Sequence, residues 1–341
     1  MKKILVLLII TVLLTACGIE QPPEAAEESS PSATQDQPPD TSAPPTDSPE
    51  PTAEPTETTI PTIAPTLPPL GEEGNPIVWA IVSEGTDMAV FVPAIDQATN
   101  IIKERTGLAF EIQVLETYSQ VVDMLCTGEA QLGNLDAFSY ILAQDRGCTS
   151  RILTAERFGN SAYQGQILVR RESNINSIAE LAGTTFCRSA PESRSSWIVP
   201  RLMMQAAGID PDNDLKEIIN TVNTEGIIKG LYNGTCDAGA TYLDARLDYL
   251  DQYYGLLNVV DMLVHTLQIP FVSITFSPGL PTETQDVIEE EFFYFEIYEG
   301  GQILLDLFNW DGLFERGDYL YDNLRETIAV SGVSLESLVE E

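Results

Sequence analysis

From Pro76 onward, short apolar runs of strand length alternate with longer segments whose apolar residues recur at helical spacing. This alternation restricts the fold more than any other property of the chain. "PIVWAIVSE" reads as a buried strand, and "AVFVPAIDQATNIIKERTG" as a helix in which Val92, Ile95, Ala98, Ile101 and Ile102 share a face and Gly107 supplies the stop. "LAFEIQVLE" is a second strand. "TYSQVVDMLCTGEA" is a short helix with Thr117 or Ser119 as cap and Gly128 past its end, and "QLGNLD" is a third strand before the helix "AFSYILAQDRG". Such a β-α-β-α-β-α order is the pattern of an α/β layer with a largely parallel sheet.

The pattern resumes after "QGQILVRRES". "SIAELAG" reads as helix, "TTFCRS" as strand, "SSWIVPRLMMQAAG" as helix, "EIINTVN" as strand, "TEGIIKGLYNG" as helix and "CDAGATYLD" as strand. The helical "ARLDYLDQYYG" follows, then strands in "LNVVDMLVHT" and "IPFVSITFS" and a helical tail from "TETQDVIEEEFFYFEIY". The fold class expected is α/β and bilobal, two α/β lobes joined by a two-strand hinge. Residues 76–164 form lobe 1, completed by about 275–341, and residues 165–274 form lobe 2. Small-molecule sites concentrate in such inter-lobe clefts, at the carboxyl ends of strands.

The first 75 residues are of another texture. Lys2 and Lys3 precede an apolar run from Ile4 to Ala16, too short to span a bilayer, for which about 20 residues are needed. Residues 1–16 read as a signal peptide. Its end, Leu14-Thr15-Ala16-Cys17, resembles the bacterial lipobox, which implies cleavage before Cys17 and a lipid on its thiol; the plainer alternative is a soluble signal peptide ahead of an incidental cysteine. Residues 17–75 read as a disordered linker: from Ile19 to Asn75 there are 14 prolines and no aromatic residue, lysine or arginine. A chain of that composition buries too little apolar surface to fold, and its prolines hold it extended as a stalk.

Export sets the redox context. Apart from Cys17 there are four cysteines, Cys126, Cys148, Cys187 and Cys236, which allow three pairings. Spacing and the lobe assignment favour Cys126–Cys148 and Cys187–Cys236. A zinc site is not expected, because no C-x-x-C occurs and His265 is the single histidine. The formal charge of −35 argues against nucleic acid, whose phosphates need Lys and Arg. An enzyme is not expected either: the lone histidine sits in an apolar run, and G-x-S-x-G and Walker A patterns are absent. No cofactor is implied.

The hydroxyl cluster Ser193-Arg194-Ser195-Ser196 opens a predicted helix just after a strand. Free amides at the helix start, the dipole, the hydroxyls and the Arg194 fork together suit an oxyanion. A hydrogen bond to a charged group contributes about 1.5–3 kcal/mol. Micromolar affinity needs about 8 kcal/mol beyond an association cost of about 4 kcal/mol or more. Three hydroxyls therefore fall short, and helix amides, Arg194 or aromatic walls must contribute. The plain alternative for any one serine is a helix cap.

Four segments in order resemble the phosphate/phosphite/phosphonate substrate-binding proteins of ABC transporters, from about Trp79 to about Leu280. They are "LETYSQVVDMLCTGEAQLGNLDAFSYILAQDRG", "NSAYQGQILVRRESNINSIAELAGTTF", "APESRSSWIVP" and "NGTCDAGATYLDA". The resemblance implies the type II periplasmic-binding-protein fold, a small anionic or zwitterionic ligand such as phosphonate, phosphite or phosphate, and an ABC permease as partner. It also implies an extracytoplasmic location, with the membrane reached through the lipid on Cys17. Carried over position by position, ligand contacts fall on Tyr118, Tyr163, Ser193, Arg194, Ser195, Thr224 and Asp244. Arg194 stands where the family has threonine, Thr224 where it has histidine, and Val272 where it has a second acid. Sulfonates, thiamine precursors and amino-acid-like molecules are alternative ligands, and a stalked surface sensor is an alternative role. Each residue also has a plainer reading: core packing for Tyr118, Tyr163 and Tyr140, a cap for Asp244, a structural role for Asp237 and His265, and either cleft wall or core for Trp197.

Overall fold

A computed structural model describes residues 67–340. The signal peptide, Cys17 and the linker up to residue 66 lie outside the described residues. In chain order, β1 (Ile77–Val82), α1 (Met88–Thr106), β2 (Phe110–Leu115), α2 (Tyr118–Thr127), β3 (Leu132–Leu135), α3 (Ala137–Asp145) and β4 (Arg151–Glu156) come first. Next are β5 (Ala162–Arg170), β6 (Thr185–Arg188), α4 (Val199–Ala206), α5 (Pro211–Asp214), β7 (Glu217–Asn220), α6 (Thr224–Asn233), β8 (Ala238–Tyr242), α7 (Leu256–Val259) and β9 (Val260–Pro270). The chain closes with β10 (Ser273–Phe276), α8 (Thr282–Phe293), α9 (Glu299–Phe308), β11 (Gly312–Glu315), α10 (Asp322–Ser331) and α11 (Leu335–Glu340).

The strands make two sheets. The first has the order β11-β4-β10-β3-β1-β2, and the second β7-β6-β8-β5-β9. In the first, β1 lies parallel to β2 and β3, while β10 runs antiparallel to β3 and β4. In the second, β6 lies parallel to β7 and β8, and β5 runs antiparallel to β8 and β9. The chain crosses between sheets twice: outward through residues 157–161, and back through Phe271 and Val272. At the crossing β5 and β9 lie side by side, with Ala162 opposite Pro270.

Period-two burial explains why both sheets carry helices on both faces. Along β1, Ile77, Trp79 and Ile81 enter the core formed with Phe91 and Ile95 of α1, Phe292 of α8 and Leu304 of α9. Ala80 faces the opposite core with Val121 of α2, Phe138 of α3 and Tyr321. In the second sheet Ile167 and Val169 pack with Phe186, Trp197 and Met204, while Leu168 packs with Cys187, Ile227 and Leu256. Fully burying each large apolar side chain contributes about 1.5–3 kcal/mol. Val199 and Leu202 of α4 join Leu324 and Ile328 of α10 in the first sheet's core, so one apolar cluster ties the second sheet's helix to the C-terminal helices.

Local signals set several boundaries. Thr117 and Gln120 form a reciprocal capping box on α2, and Gly107 and Gly128 end α1 and α2 in the left-handed conformation. The disulfides are Cys126–Cys148 and Cys187–Cys236, with Cα–Cα distances of 4.7 and 5.8 Å.

Four expectations need correction. The linker ends earlier than Asn75: Gly71 donates its N–H to the Asn75 carbonyl, Ala109 donates to the Gly71 carbonyl, and Leu70 packs on the core. "SIAELAG" forms one 3-10 turn, Ile178–Leu181, because Gly183 follows at once in the left-handed region. "ARLDYLDQYYG" is likewise a 3-10 turn, Ala245–Tyr249. "SSWIVPRLMMQAAG" begins as a π turn, Arg194–Ile198, before α4. Pro200 explains the wide turn: it has no N–H for the Ser196 carbonyl, and its ring would crowd that carbonyl in a regular helix.

Candidate functional site

Two adjoining cavities of ≈310 and ≈350 Å3 share Glu84, Asp136 and Arg194, a size suited to small molecules. The first is completed by Arg157, Phe271 and Val272 from the two crossovers and by Tyr163 at the start of β5, and the second by Tyr118, Ile198 and the end of α11. Three of these groups stand just past a strand of the first sheet: Glu84 past β1, Tyr118 past β2 and Asp136 past β3. Arg194 reaches in from the second sheet, on the segment after β6.

Asp136 caps α3, accepting the N–H of Ser139 at 2.9 Å. Its other oxygen accepts Nε of Arg194 at 2.9 Å and also Nη2 of the same guanidinium. The pair therefore spans the two sheets. Asp136 is almost fully buried, with 8% of its side chain exposed. Its charge pushes the Arg194 pKa further above the ordinary value, against the opposing effect of burial. Arg194 also lies 6.0 Å from the centre of the Tyr118 ring. The Tyr118 hydroxyl donates to Oε1 of Glu84, and Glu84 holds the left-handed conformation with φ 49°. Burial, with Glu84 and Asp136 adding to it, raises the Tyr118 pKa well above the usual phenol value. Burial also raises that of Tyr163. Both phenols are thus neutral donors at physiological pH. Tyr163 stacks on Phe271 at 5.2 Å with 30° between the rings.

The structure brings together three of the seven expected contacts, Tyr118, Tyr163 and Arg194. The other four stand apart from both cavities. Ser193 accepts the Ser196 N–H at 3.3 Å as a helix cap, and Ser195 is half-buried beside Gly165 of β5. Thr224 opens α6. Asp244 is exposed in a left-handed conformation and makes no side-chain cap, contrary to its plainer reading. Ser196 is held by Ser189, their hydroxyls 2.7 Å apart. Trp197 packs in the second core against Phe186, and Tyr140 is buried and donates to Asp318. Asp237 is structural: burial works to raise its pKa, but hydrogen bonds from the Thr185 N–H and hydroxyl bring it below the ordinary value. His265 is an exposed residue of β9, opposite Gln166.

Sequence reasoning missed Glu84, Asp136, Arg157 and Phe271. The strand-end rule marks Glu84 and Asp136, in "VSEG" and "NLD". Arg157 follows a strand, β4, that the periodicity did not reveal.

Two α/β layers linked by two crossovers, with polar and aromatic side chains from both around one cleft, define a two-lobed solute-binding protein. The family model described as "ABC transporter, phosphonate, periplasmic substrate-binding protein" matches residues 87–319. The chain belongs to that family, and its fold is the type II periplasmic-binding-protein fold. The match starts later and runs further toward the C-terminus than the span from Trp79 to Leu280 expected from motifs. The phosphate-import protein PhnD of Mycolicibacterium smegmatis is 26% identical over 163 residues, 45% of this chain and 50% of that protein. The chain thus spans about half the length of the curated relative it matches. Among solved structures, XAC2383 of Xanthomonas citri bound to ATP has 18% identity and a TM-score of 0.56, covering 77% of this chain and 98% of that one. Its chloride-bound form gives 0.54, covering 75% and 97%. These likenesses establish the fold.

Proposed function

We propose that this chain is an extracytoplasmic solute-binding lipoprotein, anchored through a lipid on Cys17, that takes up a small phosphorus oxyanion between its lobes and delivers it to an ABC permease. Phosphonate, phosphite and phosphate are the ligands the reading favours. The lobes are those built on the two sheets, between which the chain passes at residues 157–161 and at Phe271 and Val272. The observation that carries the reading is the cleft itself: the Arg157 and Arg194 guanidinium groups and the protonated phenol of Tyr163 converge on one cavity of ≈310 Å3 at the crossovers, beside the adjoining cavity that Tyr118 lines. Tyr118 and Tyr163 wall the ligand, and Arg194 closes the second lobe over it through Asp136. Family membership supports the transport role, and the name of the mycobacterial relative supports phosphate as one candidate.

A thermal-shift panel on the full chain tests this, with phosphate, phosphite, methylphosphonate, an aminoalkyl phosphonate, an alkyl sulfonate and an amino acid. A ligand at 100 times its Kd adds about 2.7 kcal/mol, a rise of several degrees in Tm for a chain of this size. A rise with a phosphorus oxyanion is the expected result. A rise confined to the sulfonate or amino acid would overturn the ligand class.

A further inference from the structure

We propose that the guanidinium fork of Arg157, rather than that of Arg194, grips the anionic end of the ligand. This rests on the binding-protein reading above and names the group that selects the anion.

Four charged side chains line the first cavity: Glu84, Asp136, Arg157 and Arg194. Arg194 is closed on Asp136 through two donors, so its charge is already answered within the chain. Arg157 is the one guanidinium of the cavity with no carboxylate partner among the described residues. The acid next to it in sequence, Glu156, is itself occupied. Arg316 donates to Glu156 and, at 2.8 Å, to the Ser161 hydroxyl, which donates to Glu156 at 3.0 Å.

The setting of Arg157 is fixed at both ends. Its backbone closes a two-residue turn, with N–H to carbonyl bonds of 3.0 and 3.1 Å exchanged with Asn160. Both central residues, Phe158 at φ 53° and Gly159 at φ 69°, hold the left-handed conformation of a type I′ turn. At the other end, Nη2 donates to the Phe308 carbonyl at 2.9 Å. That carbonyl belongs to the last turn of α9, where a helix carries partial negative charge. The guanidinium carbon lies 5.3 Å from the centre of Phe271, the ring on which Tyr163 stacks.

Among the described residues Nη2 is the one nitrogen of this group with an acceptor, and Nε is buried without one. A partly desolvated guanidinium lacking a counter-charge is unfavourable until an anion arrives. Its planar fork suits two oxygens of a phosphonate or phosphate better than a single point charge does. The crossover location adds a consequence, since an anion held there sits where the lobes pivot.

Isothermal titration of the full chain with inorganic phosphate and with methylphosphonate tests the assignment. Arg157→Gln should weaken the probe that the wild type binds by about 10- to 100-fold. Arg157→Lys, which keeps the charge and loses the fork, should weaken it by about 10-fold. Arg146→Gln, which removes a positive charge from a surface pair with Asp123, should leave binding unchanged and so controls for net charge. If circular dichroism shows Arg157→Gln unfolded, the lysine variant decides. A wild type that binds while the folded Arg157 variants bind within about 3-fold of it overturns this inference and leaves the functional reading standing. A wild type that binds neither probe, nor any other phosphorus oxyanion of the panel above, removes both.

Discussion

Replacing Arg194 with Gln breaks the one ion pair that joins Asp136, at the end of β3, to the segment preceding α4. Its magnitude follows from burial. Exposed pairs contribute about 0–1 kcal/mol, whereas removing one partner of a buried pair costs about 3–5 kcal/mol. Here 8% of the Asp136 side chain and 34% of the Arg194 side chain are exposed, which places the loss between those limits, at about 2–3 kcal/mol. The deficit after Arg194→Gln is moderated because Asp136 still accepts the Ser139 N–H. Asp136→Asn is the matched partner variant, since Asn caps a helix as well as Asp does. Urea unfolding of wild type, both single variants and the double variant gives the coupling directly. We expect a coupling of about 1.5 kcal/mol, the double variant being more stable than additivity requires. In a thermal melt, Arg194→Gln should lower Tm by about 4–12 °C at the 2–4 °C per kcal/mol typical of chains near this size. A coupling below about 0.5 kcal/mol would refute the reasoning, because the two groups would then be independent despite sharing hydrogen bonds.

Three further perturbations probe other links. Gly165→Ala puts a Cβ 2.8 Å from the Thr241 carbonyl oxygen and 3.1 Å from that of Ser195. Backbone cannot yield as a side chain can, so a loss of about 1–3 kcal/mol is expected in urea unfolding, and a loss under 0.5 kcal/mol would contradict it. Asp318 accepts the Tyr140 hydroxyl at 3.0 Å and two Arg325 donors at 2.6 and 2.8 Å. Burial works to raise the Asp318 pKa, but these bonds bring it below the ordinary value. Its folded pKa thus lies below the unfolded one of about 3.9. Its contribution is therefore present above about pH 4 and lost as pH falls through the folded value. Asp318→Asn should lower stability at pH 7 by about 1–2 kcal/mol and converge on wild type at acid pH; parallel pH profiles would exclude this role. Replacing Cys187 and Cys236 together with Ser opens a loop with a sequence separation of 49. Loop-closure entropy gives a loss of about 4 kcal/mol, against about 3.4 kcal/mol for Cys126–Cys148. Equal unfolding midpoints with and without reductant would show that neither bond constrains the unfolded chain.

The parts of the fold legible in the sequence are those whose causes are local. The capping box of Thr117 and Gln120 and the left-handed glycines after α1 and α2 lie within a few residues of the boundaries they set, and those helices were read in place, although on α1 Phe91 is buried and Val92, expected on the apolar face, is exposed. The strand β4 was not read, because "RILTAE" begins and ends with charges. Arg151 is paired with Asp286 and Glu289, and Glu156 with Arg316, all more than 130 residues away. No window along the chain contains the reason those charges can flank a buried strand. The short strand β11 escaped for a related cause: "GLFE" gains its register only by pairing with β4.

The same distinction separates the readable half of the site from the rest. Tyr118 was placed by the family resemblance, and the position it falls on, opening a helix at the end of a strand, is one that sequence pattern also exposes. The role of Arg194 could not, because a guanidinium among serines offers an anion site on its own segment, whereas the anion it meets is Asp136, 58 residues earlier and on the other sheet. An arginine whose charge is answered inside the protein helps to bring the lobes together; one whose charge is unanswered selects a ligand. Sequence shows the residue type in both cases, and only the partner tells them apart. On that criterion Arg157, reached from the unread strand β4 and left without a carboxylate, ranks above the arginine the hydroxyl cluster had singled out.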